Sequence, residues 1–249
     1  MHMEDSSTLS WEQIAEDWAA HADTNDYRNV FLIPITFSLL GEVADKKVLD
    51  VGCGEGGYTR ILASNGSRVT GIDGSAKLID IARRRAEEEH LAITYEVRNA
   101  NSLHGIDDAS FDIALAAMSL MDVEDYSGAV AEIHRVLRKG GEFLMSISHP
   151  CFTGRGSRWL RNADGEIDHY AIDNYMEREA WEEFVTDRFS RPVLFRHMPL
   201  EGFISPLLEC GFRLDLFKEP TPAPEQILKS ERLKRLNRVP LFLFMKWSK

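Results

Sequence analysis

From Lys46 to Ser148, short apolar runs alternate with stretches whose apolar residues recur at helical spacing. Residues 48–51, 68–73, 93–97, 112–118 and 142–148 read as strands, the fourth of them an almost unbroken apolar run. Between them, Ser75 caps a helix carrying Leu78, Ile79 and Ile81. A later helix carries Val130, Ile133, Val136 and Leu137 and is expected to stop at Gly140-Gly141, a C-cap signal. Strand–helix alternation predicts a parallel sheet covered on both faces. Upstream, Ser10 and Gln13 fit a capping box for a helix whose apolar face is Trp11, Ile14, Ala15 and Trp18. Residues 21–29 are polar and turn-like, and a second helix is expected from near Pro34 to Gly41. The alternation breaks after Ser148. Residues 150–198 mix Arg, Asp and Glu with many aromatics and read as an insertion that caps the strand ends. Residues 200–210 then read as a helix ending at Gly211, residues 212–218 and 241–247 as two last strands, and residues 225–237 as a short charged helix. There are no internal repeats, and the 249 residues fit one domain.

The first strand ends in the run Val48-Leu49-Asp50-Val51-Gly52-Cys53-Gly54-Glu55-Gly56-Gly57. A strand, a glycine turn and a helix N-terminus make a site for a ligand built like a nucleotide. The spacing is ambiguous, because Gly52, Gly54 and Gly57 satisfy G-x-G-x-x-G while Gly52, Gly54 and Gly56 satisfy G-x-G-x-G. Asp50 weighs on the choice: it would repel a pyrophosphate and attract a ligand that carries an ammonium and a sulfonium. Asp73 ends the second strand about 20 residues past the turn, where an acid accepts hydrogen bonds from ribose hydroxyls.

V-L-D-V-G-C-G-E-G-G, G-I-D-G-S, S-F-D-I-A-L-A-A-M-S-L-M-D and V-L-R-K-G-G-E-F-L together resemble the class I S-adenosylmethionine-dependent methyltransferases, over roughly residues 46–149. Ser148-His149-Pro150-Cys151-Phe152 points to their small-molecule branch. The resemblance implies an α/β, Rossmann-like doubly wound fold. Its sheet has seven mostly parallel strands, with an antiparallel C-terminal hairpin and a cap insertion at 150–198. It implies S-adenosyl-L-methionine as cofactor, and an N-terminal helical lid over residues 1–41 that brings Tyr27 and Arg28 to it, Arg28 being suited to the methionyl carboxylate. Asp50, Gly52, Gly54 and Gly56 fall around the methionyl part, Asp73 at the ribose, and Asn99, Ala100, Asn101 and Ser102 at the adenine, with Cys53 and Gly74 also against the cofactor. Met118, at the exit of the fourth strand, falls beside the sulfonium. Asn99 departs from the family, which usually carries an acid there; its amide oxygen still accepts from the adenine amine.

Charge and composition narrow the partners. Lys+Arg 29 against Asp+Glu 40 gives a net charge of −11, which disfavours a phosphate backbone, so no nucleic-acid partner is expected. No stretch approaches 18 consecutive apolar residues and the N-terminus is polar, so neither a membrane span nor a signal peptide is expected. Cys53, Cys151 and Cys210 are isolated, which suits a reducing cytoplasm and a monomer or homodimer without a disulfide framework. Arg83-Arg84-Arg85 and Glu87-Glu88-Glu89 read as a solvated helix face. No His/Cys/Asp/Glu cluster has metal-ligand spacing, so no metal is expected.

Methyl transfer from a sulfonium is an in-line displacement that needs alignment and exclusion of water, and a base only if the acceptor arrives protonated. His149, just past the fifth strand, and His197, at the end of the insertion, are the candidate bases; Asp122 can orient an amine. The expected function is transfer of the methyl group to an O, N or S atom of a small molecule. Two alternatives remain open on the residues: a nicotinamide-dependent oxidoreductase, and a protein that binds S-adenosylmethionine without transferring its methyl.

Overall fold

The computed structural model describes residues 6–249. Its N-terminal part is almost wholly helical: α1 (Ser6–Gln13), α2 (Ala15–Thr24), a π-helical turn (Tyr27–Leu32) and α3 (Ile33–Leu40). The expected capping box is not formed. Ser10 lies inside α1, and its Oγ accepts from Leu194 N at 2.9 Å. Residues 21–29 are more helical than their polarity suggests. Asn29 Nδ2 donates to the Ala22 and Asp23 carbonyls and Arg28 Nη1 to Ala22 O, so side chains of the π turn satisfy the open end of α2. Pro34 stands in the first turn of α3 as expected.

The central region alternates as its pattern requires: β1 (Lys47–Val51), α4 (Gly57–Ser64), β2 (Arg68–Asp73), α5 (Ala76–Glu88), β3 (Thr94–Val97), β4 (Phe111–Ala117), α6 (Tyr126–Val136) and β5 (Leu137–Ser148). Ser75 caps α5, accepting from Leu78 N at 3.1 Å. Gly140-Gly141 does not end α6. The helix stops at Val136, and both glycines lie within β5, where Gly140 N donates to Lys249 O at 2.8 Å. The fold therefore uses these glycines at a strand irregularity beside the chain's last residue. The Arg83–Arg85 run is only partly solvated. Arg85 pairs with Asp23 at 2.9 Å and Glu55 at 3.3 Å, while Arg83 pairs with Asp80 and donates to Tyr95 O.

After β5 come two antiparallel hairpins outside the main sheet: β6 (Arg158–Arg161) with β7 (Ile167–Ala171), and β8 (Glu179–Glu183) with β9 (Val193–His197). Then follow α7 (Leu200–Glu209), β10 (Arg213–Lys218), α8 (Pro224–Lys229), a 3₁₀ turn (Glu231–Asn237) and β11 (Phe242–Ser248). The expected single helix over 225–237 is thus two pieces, broken at Ser230, whose Oγ donates to Asp26.

The main sheet has seven strands in the order β10-β11-β5-β4-β1-β2-β3. β11 runs antiparallel to both β5 and β10, and the other pairs are parallel. This is the mostly parallel Rossmann-like sheet with antiparallel C-terminal strands that the resemblance implied. Apolar clusters fill both faces, one around Leu49, Val51, Ile133 and Phe143, the other around Val48, Leu62 and Leu115. Alternate residues of β1 thus bury on opposite faces. The strand order reverses beside β1, between β4 and β2, and a crevice opens there at the carboxyl ends. Among the described residues no helix is long and apolar enough to cross a membrane.

Candidate active site

The glycine turn is a tight fixture. Gly52 N and Cys53 N both donate to Ile72 O, at 2.8 and 2.9 Å, so β1 is tied to β2 beyond its last ladder pair. Gly52 has φ +70°, and a Cβ there would come within 2.4 Å of Ser119 Cβ. Glycine is the residue that fits that conformation and that approach. Gly56, at φ +82°, forms the left-handed N-cap of α4.

Three carboxylates surround the turn. Asp73 Oδ2 accepts from Gly54 N and Oδ1 from Ser75 N, both at 2.9 Å. Asp50 is buried and accepts from Thr59 Oγ1 at 2.6 Å. Burial pushes its carboxyl up to about 7; the Thr59 bond acts against that, and the charges of Glu55 and Asp73 add to it. Burial likewise raises Asp73 and the Cys53 thiol. A site that holds carboxylates in this state is matched to a cationic ligand, which restores the charged form.

The turn opens into a cavity of about 710 Å³ built from three parts of the chain. The N-terminal helices contribute Thr8, Trp11, Trp18, Tyr27 and Arg28. The sheet contributes Asp50, Gly52, Cys53, Gly54, Asp73, Gly74, Asn99, Ala100, Asn101, Met118 and Asp122. The hairpins contribute Arg158, Tyr170, Trp181, Phe195 and His197. Met118 stands at the exit of β4 with φ +57°, its N–H donating to Ser146 O at 2.9 Å. Asn99 Oδ1 accepts from Thr8 Oγ1 at 3.3 Å, and Asn101 Nδ2 reaches Asp125 at 3.4 Å. Tyr27 packs on Phe242 with ring centroids 5.7 Å apart. Arg28 lines the cavity but is already engaged: Nη2 lies 2.6 Å from Glu55 Oε1.

Three expected site residues fall outside the lining, one of them Gly56, which serves as the N-cap of α4. Ser102 turns away, its N–H donating to Asn99 O at 3.0 Å. His149 is buried behind the cavity wall with both ring nitrogens used. Nε2 donates to Glu219 Oε1 at 2.9 Å, and Nδ1 accepts from Cys151 N at 3.2 Å. It stands just past β5, but its ring packs against Phe152 at 4.8 Å and does not face the crevice.

His197 is differently placed. It is buried, lines the cavity, and its Nε2 lies 2.9 Å from Tyr175 O. A carbonyl only accepts, so Nε2 carries the proton and Nδ1 the lone pair, with no partner among the described residues. Asp122 is buried in a 3₁₀ turn (Leu120–Asp122) on the same cavity.

The residue reading missed Thr8, Glu55, Tyr58 and Thr59. Tyr58 lines the cavity, with the Arg28 guanidinium 5.4 Å from the centre of its ring. Trp11 and Trp18 were visible at helical spacing but read only as a packing face. Among the described residues no group of three His, Cys, Asp or Glu side chains is placed to hold a metal ion.

Residues 49–145 match a family model described as a methyltransferase domain. A crystal structure of an S-adenosylmethionine-dependent methyltransferase from Mesorhizobium loti superposes with a TM-score of 0.76 at 26% identity. The match covers 91% of this chain and 99% of that one. A Haemophilus influenzae protein named only as uncharacterized is 26% identical over 86% of this chain and 85% of its own length. A demethylmenaquinone methyltransferase from Tropheryma whipplei is 38% identical over 113 residues, 45% of this chain and 46% of that protein. The chain thus spans under half the length of that relative.

Proposed function

The chain belongs to the class I S-adenosylmethionine-dependent methyltransferases, and from that premise we propose that its acceptor is a small molecule with a flat ring, held between the glycine turn and the hairpins. The observation that carries this reading is that one cavity is shared by the glycine turn, His197 and the aromatic side chains of β8 and β9. Its volume suits a nucleoside cofactor together with a compact second molecule. Trp181 and Phe195 stack at 5.8 Å with an interplanar angle of 25° and form an apolar wall suited to a ring. The relative named for demethylmenaquinone supports a ring-bearing acceptor.

The residues present fit the cofactor. Asp50 faces the ammonium end as a buried carboxylate, Asp73 accepts from ribose hydroxyls, and Asn99 to Asn101 line the adenine. Gly52, Cys53, Gly54 and Gly74 let the backbone lie close to the ligand. When bound, S-adenosylmethionine supplies an electrophilic methyl on a positively charged sulfur that is a good leaving group. The chain's part is then to align, to dry and to take a proton. α1 to α3 act as a lid and residues 150–198 as a cap that keep water out. His197 Nδ1 is placed to accept the proton of an acceptor O–H, N–H or S–H, with the resulting imidazolium held by Tyr175 O. Asp122 orients the acceptor beside it.

The test is to incubate the protein with S-adenosylmethionine and a panel of ring phenols, aromatic amines and thiols, and to measure S-adenosylhomocysteine formed. Turnover on a panel member, lost in His197→Gln, is expected. Turnover confined to RNA or protein acceptors would overturn the reading.

A further inference from the structure

The glycine motif specifies nothing at the position between Gly54 and Gly56, yet Glu55 there is among the most buried acids of the molecule, its side chain 3% exposed. Three arginines from three separate elements converge on it. Arg60 of α4 and Arg85 of α5 approach Oε2 at 3.4 and 3.3 Å, and Arg28 of the π turn approaches Oε1 at 2.6 Å. The two oxygens therefore do different work. Oε2 is fixed to the body of the fold, and Oε1 is presented to the N-terminal helices.

Arg28 is held from several sides. Nη2 donates to Glu55, Nη1 donates to Ala22 O and Asn29 Oδ1, and the guanidinium lies 5.4 Å from the centre of the Tyr58 ring. Its Nε–H and the second Nη2–H have no acceptor among the described residues, and the side chain lines the cavity. Gly57 makes room for this arrangement, since a Cβ at that position would lie 1.8 Å from Arg28 Nη2. Arg60 and Arg85 are occupied elsewhere as well, by Glu89 and Asp23. Of the three, Arg28 is the one that faces the cavity.

We infer that Glu55 is a positioning residue: it holds Arg28 over the end of the site that receives the methionyl carboxylate, and so ties closure of the N-terminal helices to that group. The inference rests on the cofactor reading above. Asn99 and Gly74, next to Asp73, lie against Thr8 of α1, whereas Arg28 lies on the Tyr58 ring and Asp50 is bonded to Thr59 of α4. A cofactor with its ribose at Asp73 thus extends its amino-acid part toward Arg28. The two free N–H groups of Arg28 can then grip a carboxylate while Oε1 of Glu55 keeps the guanidinium from swinging out to water. The amide introduced by Glu55→Gln would keep the shape of the side chain but not the charge that gathers the three arginines.

The experiment compares two ligands that differ at the methionyl end. S-adenosylhomocysteine has the amino-acid part; 5′-methylthioadenosine lacks it. Dissociation constants are measured for both by calorimetry on the wild type, Glu55→Gln, Arg28→Gln and the double variant. Glu55→Gln is expected to weaken S-adenosylhomocysteine about tenfold and leave 5′-methylthioadenosine within about twofold, as loss of one charge-assisted contact would. The double variant should be no worse than Arg28→Gln alone, because Glu55 acts through Arg28. In turnover, KM for S-adenosylmethionine should rise with kcat unchanged. Gly57→Ala gives a second route, since alanine favours the helix and its methyl displaces Arg28; the same selective loss is expected. Equal weakening of both ligands, or additive losses in the double variant, would overturn the inference and leave Glu55 a structural residue. A wild type that binds neither ligand would instead bring down the cofactor reading, and this inference with it.

Discussion

The strands of the main sheet and the hairpins of residues 150–198 meet at the same cavity but are held in unlike ways. Asp50 lies in a strand paired on both sides, opposite Gly71 of β2 and Leu115 of β4, and its neighbours Leu49 and Val51 are fully buried. β8 and β9 form a two-stranded ribbon. It is joined to the N-terminal helices by a small apolar cluster, Val193 and Phe195 against Ile14, Trp11 and Trp18, and by a few hydrogen bonds: Ser190 N to Asp17 at 2.7 Å, Leu194 N to Ser10 Oγ at 2.9 Å, and Arg196 to Ser6 and Ser7. A two-stranded ribbon gains little stability alone. The cofactor end therefore sits in the most over-determined part of the fold. The proposed acceptor end rests on elements that pack outside the two apolar clusters flanking the sheet.

That contrast can be broken at either end. The largest effect belongs to His197: replacing it with Gln should cut kcat by about 10²–10⁴ while S-adenosylhomocysteine binds as before, read by steady-state kinetics and calorimetry. Equal loss of cofactor affinity would show that the two ends are not separable. On the sheet side, Gly52→Ala meets both a positive φ and the Ser119 side chain, and strain of about 1–3 kcal/mol should weaken cofactor binding by one to two orders of magnitude while the acceptor KM stays near its original value.

Asp50 gives a pH signature confined to the same end. Its carboxyl titrates near 7 in the ligand-free protein, and a cationic ligand binds the ionised form. Cofactor affinity should therefore fall about tenfold from pH 8 to pH 6, and Asp50→Asn should flatten the profile. The sign for stability is the reverse. A carboxyl raised from 3.8 to about 7 by folding is destabilising once ionised, so the ligand-free protein loses stability as pH rises through that window. Asp50→Asn should then melt higher than the wild type at pH 8. The smallest effect is on the ribbon: Trp181→Ala should raise the acceptor KM about fivefold without moving the cofactor constant.

The same divide explains what could be read in advance. The strands, the glycine turn and the strand-end acids are local signals, written in consecutive residues, and the folded chain forms the strands and the turn where they are written. Errors arose where a distant partner decides. Ser10 has the look of a cap but serves β9; residues 21–29 have the look of a loop until Arg28 and Asn29 close the end of α2. Gly140 and Gly141 follow a helical run, but pairing with the chain's last residues draws them into β5. His149 and His197 could not be ranked from the chain, since Glu219 claims one ring and the cavity the other. Glu55 was least legible, because its value lies in three arginines at positions 28, 60 and 85.

The place of β11 has a consequence for how the chain is made. Residues 242–248 fill the gap between β5 and β10, with Trp247 wholly shielded, and their partners in β5 were synthesised about a hundred residues earlier. At the 5–20 residues per second typical of a ribosome, the flank of β5 waits for on the order of ten seconds with its backbone groups unpaired. A nascent chain of this kind is open to aberrant strand addition, and its escape from aggregation depends on how quickly the last strand emerges.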